Sequence, residues 1–302
     1  MLTALDYSPV CITYGCGYLA VGGQQGQVSV FRYSPWEYVR RSGVIGSCLL
    51  TKIDALFHHR HIFNSTVCNT VVNSLSISSD SEDDPSTACL YVSSNARKVL
   101  VYRLPSMELL SDLSFPFSIN YSSVSPDGRF LAAVGDGPRV FLLNRQAGQE
   151  WVQNCELVGG SSDISVSCAW SESGSTLASA HQDGIVCVWD VRKASSTGPP
   201  MKQLNASQTS SKGSCRNVKF SRGTPVDLLA FSEHTTFVHV VDARDFASEQ
   251  LVRVHPSVRD HNVAGIAFSP LSKQLFVGLE DSLSVYDVLS GSRRAFGHFD
   301  LT

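Results

Sequence analysis

The sequence predicts an all-β protein that repeats one small antiparallel sheet along its 302 residues. Three observations support this prediction. Apolar and polar residues alternate in short runs, as they do in half-buried strands, and no long segment has helical periodicity. Gly, Asp, Ser and Pro cluster between these runs, where tight turns need them. A single template of apolar strand, polar turn, small-residue strand, polar turn and final apolar strand recurs along the chain.

Six copies of this template can be read, over residues 5–33, 75–104, 121–144, 166–192, 218–244 and 263–288. Near the end of each copy one register residue recurs, at Phe31, Tyr102, Leu143, Trp189, Val241 and Tyr286. The spacings between successive register residues are 71, 41, 46, 52 and 45. Most lie near the roughly 40–45 residues that supply one four-stranded propeller blade. The spacing of 71 indicates either an insertion or an undetected blade.

These repeats resemble the WD-repeat β-propeller family over nearly the whole chain. The motif is degenerate, because Trp189-Asp190 is the one literal Trp-Asp pair and Gly297-His298 is the one Gly-His pair. The resemblance implies a single propeller domain over residues 1–302, with six detectable four-stranded antiparallel blades and seven possible. The buried His-to-Asp hydrogen-bond networks of regular copies are expected to be mostly absent.

Three segments indicate a more specific group within this family: residues 122–136, 181–192 and 215–244. Together they look like a widespread eukaryotic group of largely uncharacterised WD-repeat proteins. The run DLLAFSEH followed by VDAR, within residues 227–244, is the most specific part. Some proteins of this type look like substrate receptors of ubiquitin ligases, and the resemblance implies that role for this chain.

Residues 40–90 fit the template least, so we expect a degenerate blade or an insertion there, with residues 39–72 as the place for a seventh blade. The run HHRH at residues 58–61 is interpreted as a connector, because only Cys68 lies near enough in sequence to complete a metal site. Residues 76–86 are acidic and rich in Ser, which predicts a flexible surface loop. Ser79 and Ser81 each have an acidic residue three positions later, so both are candidate phosphorylation sites.

The sequence starts inside an apolar inner strand. We therefore expect residues 292–300 to supply the outer strand beside Phe31, which would remove two exposed strand edges. The alternative is that relatives carry N-terminal sequence that this chain lacks.

Composition excludes several classes of protein. Hydrophobic residues make up 43% of the chain, charged residues 17%, and the net charge is −3. That balance fits a globular core and disfavours nucleic-acid binding. No apolar run approaches the roughly 18 residues of a membrane span, and no signal peptide is expected. The nine Cys include no Cys-x-x-Cys pair, which predicts reduced structural thiols in a cytoplasmic or nuclear protein.

The sequence contains no Gly-x-Ser-x-Gly nucleophile motif and no phosphate-binding Gly-rich loop before Lys. The Gly-x-Gly-x-x-Ala match at residues 15–20 precedes a strand rather than a helix, so it does not predict a dinucleotide site. We therefore predict no enzyme, no catalytic residue, no cofactor and no bound metal. The alternative is a hydrolytic or metal-dependent propeller that gathers turn carboxylates near its axis.

The polar turn before the last strand of each copy is expected on one face of the propeller, where loops on a rigid scaffold bind ligands. The prediction is a non-enzymatic scaffold that binds a peptide or partner protein there, without nucleic acid or membrane. A membrane-binding propeller would need a paired basic motif, but the only Arg pairs in the sequence, Arg40-Arg41 and Arg293-Arg294, lie outside any basic patch. The candidate partner-binding residues are Arg97, His181, Asp183, Glu233, His234 and Glu280.

The segment that ends WDVR resembles the box by which WD-repeat receptors dock on the large propeller adaptor of cullin-RING ubiquitin ligases. The resemblance implies that Trp189 packs into the blade wall and that Arg192, after Asp190, projects from the opposite face toward the adaptor. His181 departs from the small residue that this box prefers. The alternative is that this segment has an ordinary structural use.

Overall fold

The computed structural model describes residues 5–32, 60–80, 87–146, 150–193, 198–206, 213–223, 227–255 and 260–288. These residues form six antiparallel sheets, one for each sequence repeat, and a short 3-10 helix at Val191–Lys193. The fold is a six-bladed β-propeller, so the all-β prediction is confirmed. No helix among the described residues is long and apolar enough to cross a membrane.

The first three blades follow one another along the chain. Blade 1 contains β1 (Pro9–Gly15), β2 (Tyr18–Gly23), β3 (Gln27–Arg32) and β4 (Arg60–Thr66). Blade 2 contains β5 (Val72–Ser78), β6 (Cys89–Ser94), β7 (Lys98–Arg103) and β8 (Glu108–Ser114). Blade 3 contains β9 (Ile119–Val124), β10 (Phe130–Gly135), β11 (Gly137–Arg145) and β12 (Trp151–Leu157).

The last three blades repeat this order. Blade 4 contains β13 (Ser165–Trp170), β14 (Thr176–His181), β15 (Ile185–Asp190) and β16 (Lys202–Asn205). Blade 5 contains β17 (Cys215–Phe220), β18 (Leu228–Glu233), β19 (Phe237–Asp242) and β20 (Glu249–Arg253). Blade 6 contains β21 (Val263–Phe268), β22 (Gln274–Leu279) and β23 (Leu283–Asp287).

A one-residue register shift recurs after the first residue of every first strand. It lies between Pro9 and Cys11 in blade 1 and between Val72 and Ser74 in blade 2, and the other four blades repeat it. Such a bulge adds one residue to one strand and bends it locally. Because all six blades share it, their residues can be compared position by position. The fourth residues of the first strands are Ile12, Leu75, Ser122, Cys168, Val218 and Ile266.

Hydrophobic cores lie between neighbouring blades. The chain divides into two compact units, Met1–Asp136 with Phe141–Asn154, and Gly137–Val140 with Cys155–Thr302. In the first unit, Val28 and Val30 share a core with Leu75 of the next blade. In the second unit, Val186 shares a core with Val218. Fully burying one such aliphatic side chain stabilises the fold by about 1.5–3 kcal/mol.

The register residues inferred from the sequence all fall in third strands. Residues 60–66, which lie inside the proposed seventh blade, are instead β4, and Val72 begins blade 2. The spacing of 71 therefore reflects a long connection between β3 and β4, and six blades are confirmed. Residues 33–59 lie outside the described part of the chain.

The expected ring closure by residues 292–300 is wrong for the strand beside Phe31. That place is taken by β4, in which His61 pairs with Phe31. The physical reason is that the fourth strand follows the third within the same repeat, so blade 1 completes its own sheet. Residues 292–300, with Gly297-His298 and Arg293-Arg294, lie outside the described residues, as do Arg40-Arg41.

Candidate functional site

The turns between second and third strands lie beside the loops that lead into first strands. In the second unit we call this region the acidic turn surface, and we define it as residues 159–164, 182–184, 234–236, 260–262 and 280–282. Backbone hydrogen bonds join four of its segments in two pairs: the Gln182 N–H donates to the Ile164 carbonyl over 3.0 Å, and the Thr236 N–H donates to the His261 carbonyl over 3.0 Å. These bonds hold the turns on a rigid base.

Asp183 fixes one of these turns. Its carboxylate accepts a hydrogen bond of 2.7 Å from the Ser161 hydroxyl and one of 3.2 Å from the Ile185 N–H. Gly184 follows with a φ of +85°, and a Cβ there would lie 2.8 Å from the Gly213 carbonyl oxygen. Only glycine fits this left-handed position so close to another backbone. Asp183 is thus half-buried and holds the turn together.

Blades 5 and 6 supply the exposed predicted binding residues of the acidic turn surface. His234 and Glu280, two predicted partner-binding residues, are both exposed. The Glu280 carboxylate accepts a hydrogen bond from the Asn262 amide, and Thr236 donates to Asp260 over 2.6 Å. The whole surface carries five carboxylates and no lysine or arginine. Its chemistry therefore favours a positively charged partner group.

The corresponding turns of the first unit are mostly neutral. The Asn73 amide donates to the Asn95 side chain over 2.7 Å and to the Ile119 carbonyl over 2.9 Å. Asn120 donates to Asp136 over 3.1 Å. Arg97, the predicted binding residue of this unit, is exposed and adopts a φ of +62° in its turn. Charge therefore distinguishes the two turn regions.

His181 does not lie on the surface. Its side chain is 1% exposed inside blade 4. One ring nitrogen lies 2.7 Å from the Ser179 hydroxyl and the other lies 3.1 Å from the Ser165 hydroxyl. Burial lowers the pKa of this imidazole below its ordinary value. The structure thus gives His181 an internal hydrogen-bonding role.

Glu233 is also buried, with 4% exposure, but its partner is an imidazole rather than a hydroxyl. Its carboxylate lies 2.8 Å from Nε2 of His239, which is 2% exposed. Nδ1 of His239 contacts the carboxylate of Glu249, whose side chain is 41% exposed. The imidazole stacks on Phe231 with ring centroids 4.3 Å apart. The three residues form a chain from the interior of blade 5 to its surface.

The Glu233–His239–Glu249 chain joins two carboxyl groups through one imidazole ring. A carboxylate only accepts hydrogen bonds, so a ring N–H donates wherever a carboxylate contacts the imidazole. Glu249 is the part of this chain that solvent reaches, because its side chain is 41% exposed whereas Glu233 and His239 are buried.

A cleft of about 270 Å³ opens at Glu249 and is lined by Asn205, His239, Glu249 and Leu251. It lies between β16 of blade 4 and the outer strands of blade 5. Its volume is below the roughly 300–1,000 Å³ of small-molecule pockets, so it suits one side chain of a partner. Next to Asn205, the Ala206 N–H donates to the Gly184 carbonyl over 2.8 Å, which joins the cleft to the acidic turn surface.

The Trp189–Asp190–Arg192 segment ends β15. Trp189 is 3% exposed, and its indole N–H has no hydrogen-bond partner among the described residues. Asp190 accepts two hydrogen bonds from the Arg192 guanidinium, of 2.9 and 2.8 Å, while the Arg192 side chain remains 73% exposed. Asp242 and Arg244 form the same arrangement at the end of β19. The repetition fits a structural turn, although the Arg192 side chain can be reached.

Ser79 directly follows β5 of blade 2, and its hydroxyl is 2.6 Å from that of Thr87. The next residue, Asp80, forms an ion pair with Arg145, whose guanidinium also lies over the Trp151 ring. Ser81 and the rest of the predicted loop to residue 86 lie outside the described residues.

No group of three or more His, Cys, Asp and Glu side chains in the described parts of the chain could hold a metal ion. The eight cysteines among the described residues are free. Burial raises the pKa of the Cys168 and Cys187 thiols to about 12, which makes them poor nucleophiles.

The family model described as "Uncharacterised protein domain (DUF2415)" matches residues 213–253. That match encloses blade 5 with Glu233, His239 and Glu249, and it overlaps the segment that the sequence singled out as most specific. It covers a small part of the chain, and the WD-repeat assignment stays a prediction.

Three curated relatives are similar to the chain. An uncharacterised protein of Schizosaccharomyces pombe is 27% identical over 303 residues, which cover 98% of the chain and 79% of that protein. An uncharacterised protein of Saccharomyces cerevisiae is 27% identical over 62% of the chain and 23% of its own length. Protein ROOT INITIATION DEFECTIVE 3 of Arabidopsis thaliana is 28% identical over 46% of the chain and 31% of its own length.

Sequence reasoning missed His239 and Glu249. One usable signal was the alternation in FVHVVD, which places His239 on the same side of β19 as Phe237 and Val241. The same reasoning applied to TLASAH and LLAFSE puts His181 and Glu233 on buried sides. Pairing with Glu249 depends on the register of the outer strand, which sequence does not reveal.

Proposed function

We propose that this protein is a non-enzymatic protein-interaction scaffold whose acidic turn surface binds a positively charged segment of a partner protein. The observation that carries the proposal is the set of five carboxylates, without lysine or arginine, on turns joined by backbone hydrogen bonds. A rigid set of loops loses little conformational entropy on binding, which favours affinity.

The adjoining cleft adds specificity to this proposal. The Glu249 carboxyl group fits a lysine, an arginine or a free amino terminus, and the Leu251 wall fits the aliphatic stem of a long basic side chain. The Asn205 amide can orient such a group. The β-propeller fold suits a protein-interaction role of this kind.

The role of ubiquitin-ligase substrate receptor is the finer form of the proposal. In that form the acidic turn surface binds the substrate, and the exposed Arg192 binds the ligase adaptor. Adaptor binding must compete with the two hydrogen bonds that Arg192 donates to Asp190.

Proximity labelling of the tagged protein in cells with inhibited proteasomes tests the first step. We expect the triple variant His234→Ala, Glu249→Gln, Glu280→Gln to lose a set of labelled partners. The matched control Gln24→Ala, Gln25→Ala changes exposed turn residues of the first unit. We expect this control to keep the same labelled partners. A partner set that is unchanged in the triple variant contradicts the proposal.

The same labelling experiment tests whether the protein docks on a ubiquitin ligase through Arg192. Arg192→Ala is compared with Arg244→Ala, which removes the same turn geometry from the next blade. Loss of ligase subunits in Arg192→Ala alone supports the receptor role. Equal labelling of ligase subunits in both variants and the wild type contradicts docking through Arg192 and leaves the scaffold proposal to be judged on the turn variants.

A further inference from the structure

The segment that follows β5 of blade 2 brings a serine, an aspartate and an arginine together. Ser79 comes directly after Ser78, the last residue of β5, and its hydroxyl is 2.6 Å from that of Thr87. The next residue, Asp80, forms an ion pair with Arg145 of β11 in blade 3. An arginine of the neighbouring blade therefore reaches the residue next to a serine that the sequence predicts as a phosphorylation site.

Arg145 is a largely buried cation with hydrogen-bonding capacity to spare. Its side chain is 16% exposed, and its guanidinium lies over the Trp151 ring, 5.7 Å from the centroid. A guanidinium has five N–H donors, and the carboxylate of Asp80 is the one side-chain oxygen that this guanidinium contacts among the described residues. Its remaining donors can bind further oxygen atoms, and the planar group matches the geometry of a phosphate.

The surroundings of this ion pair leave room for a larger anion and favour one. Gly128, in the turn between β9 and β10, lies beside the pair, and a Cβ there would be 3.7 Å from the Asp80 carboxylate and 3.8 Å from the Arg145 guanidinium. Burial raises the pKa of the Cys89 thiol, and the positive charges of Arg145 and Arg103 oppose that rise. Cys89 pairs with the last residue of β5, so both cations act on this end of blade 2.

We propose that Ser79 is phosphorylated and that its phosphate binds the guanidinium of Arg145 in competition with Asp80. In the reaction the Ser79 oxygen bonds to the γ-phosphorus of a nucleoside triphosphate held by a protein kinase. The bond to the leaving nucleoside diphosphate breaks, and the hydroxyl proton is released. The phosphate brings about −1.5 to −2 charges and several acceptor oxygens, which is more than the carboxylate of Asp80 offers to the same guanidinium.

Of the two candidate serines, Ser79 is the one whose neighbour in sequence already contacts Arg145. Glu82 supplies the acidic residue three positions later. The last ladder pair of β5 is Ser78 with Cys89, so modification of Ser79 leaves the strand pairing intact. The inference uses blades 2 and 3 alone, so it is independent of the acidic turn surface and of the proposed function.

The test starts with the purified full chain, a protein kinase that selects serines followed by acidic residues, and a nucleoside triphosphate. We expect mass spectrometry to find phosphate on Ser79. Phosphorus-31 NMR of the Ser81→Ala variant then follows the second ionisation of that phosphate, which has a midpoint near about pH 6 in an unpaired phosphoserine. Because a nearby cation favours the dianion, we expect the midpoint to lie about one pH unit lower than in the same chain with Arg145→Gln.

The matched control is Arg129→Gln, which changes an arginine that is 73% exposed and paired with Asp127 in the adjoining turn. We expect this control to leave the midpoint unchanged. If Arg145→Gln does not fold, Arg145→Lys takes its place, because it keeps the positive charge but loses the planar guanidinium, and the midpoint should still rise.

Two results would overturn the proposal. Absence of phosphate from Ser79, with or without modification of Ser81, overturns the site. A midpoint that stays the same when Arg145 is replaced in a folded variant overturns the contact between the phosphate and the guanidinium.

Discussion

Blades 4 and 5 each bury an ionisable side chain, and they satisfy its hydrogen-bonding groups with different partners. Both end their second strand on a buried ionisable residue, His181 in blade 4 and Glu233 in blade 5, and each pairs with the first residue of its first strand. His181 meets serine hydroxyls, which suit a neutral imidazole. Glu233 contacts His239, whose imidazole lies between two carboxyl groups.

This difference between the two blades shows how a buried ionisable group can determine which groups lie at the surface. A buried carboxylate is costly unless it is paired and hydrogen-bonded, so Glu233 requires His239. The second nitrogen of His239 then contacts the carboxyl group of Glu249, which lines the cleft. Blade 4 keeps its polar network internal because neutral hydroxyls satisfy the ring. The Glu249 carboxyl group at the cleft is thus positioned by the buried residues Glu233 and His239 of blade 5.

Replacement of the two histidines gives the largest expected difference between the blades. We expect His239→Leu to lower the free energy of unfolding by about 3–5 kcal/mol, because a carboxylate with 4% exposure loses its imidazole. The matched change His181→Leu removes hydrogen bonds to neutral hydroxyls and costs about 1–3 kcal/mol. Urea unfolding of both variants measures the difference. Equal losses would show that charge does not distinguish the two sites.

A double-mutant cycle sharpens the comparison. Glu233→Gln and His239→Gln, singly and together, are expected to show a coupling free energy of about 0.5–3 kcal/mol, as groups in one ionic network do. The control cycle Ser179→Ala with His181→Gln should give the smaller coupling, about 0.5–1.5 kcal/mol, of a neutral hydrogen bond. A blade 4 coupling as large as that of blade 5 would count against the distinction.

The pH dependence of stability separates the sites further. His181 has a pKa that burial lowers below the unfolded value of 6.5, so the unfolded chain binds more protons as the pH falls. The contribution of His181 is complete above about pH 6.5 and is lost as the pH falls through its lower folded pKa. Thermal midpoints recorded between pH 7.5 and 5 should fall less steeply in His181→Gln than in the wild type. Identical slopes would contradict a neutral buried imidazole.

The arginines after the third strands give the smallest expected effect. Arg192→Ala and Arg244→Ala should leave the thermal midpoint close to that of the wild type, because both arginine side chains are mostly exposed and the backbone N–H of each residue still donates to the aspartate. Differential scanning fluorimetry of the two variants checks this. A large drop in only one blade would show that its Asp-x-Arg turn supports the fold.

The sequence predicted the repeated blades because inner strands alternate strongly and turn residues punctuate them. Trp189 and Tyr286 set the register correctly, since large residues at strand ends recur at nearly constant spacing. The outer strands were harder to predict: the strand at Lys202–Asn205 has one buried residue and little pattern. For the same reason β4 was missed and the strand beside Phe31 was sought at residues 292–300.

The candidate site was only partly predictable. His234 and Glu280 lie in turns, and turn positions follow directly from the repeat. His181 and Glu233 were predicted as binding residues because they adjoin polar turns, but each is the last inward-facing residue of its strand. His239 is recognised only when strand pairing brings it between Glu233 and Glu249. The local sequence pattern therefore predicts the strands and turns, whereas the contacts among the polar side chains depend on the register between strands.

The most direct test of the central claim is selection of a random peptide library with free amino termini on the purified protein. The acidic turn surface and its cleft predict enrichment of peptides with lysine or arginine, and Glu249→Gln with Glu280→Gln should abolish that enrichment. The control Gln24→Ala, Gln25→Ala should retain it. Enrichment of acidic or uncharged peptides, or basic peptides bound equally by the Glu249 and Glu280 variant, would contradict the account.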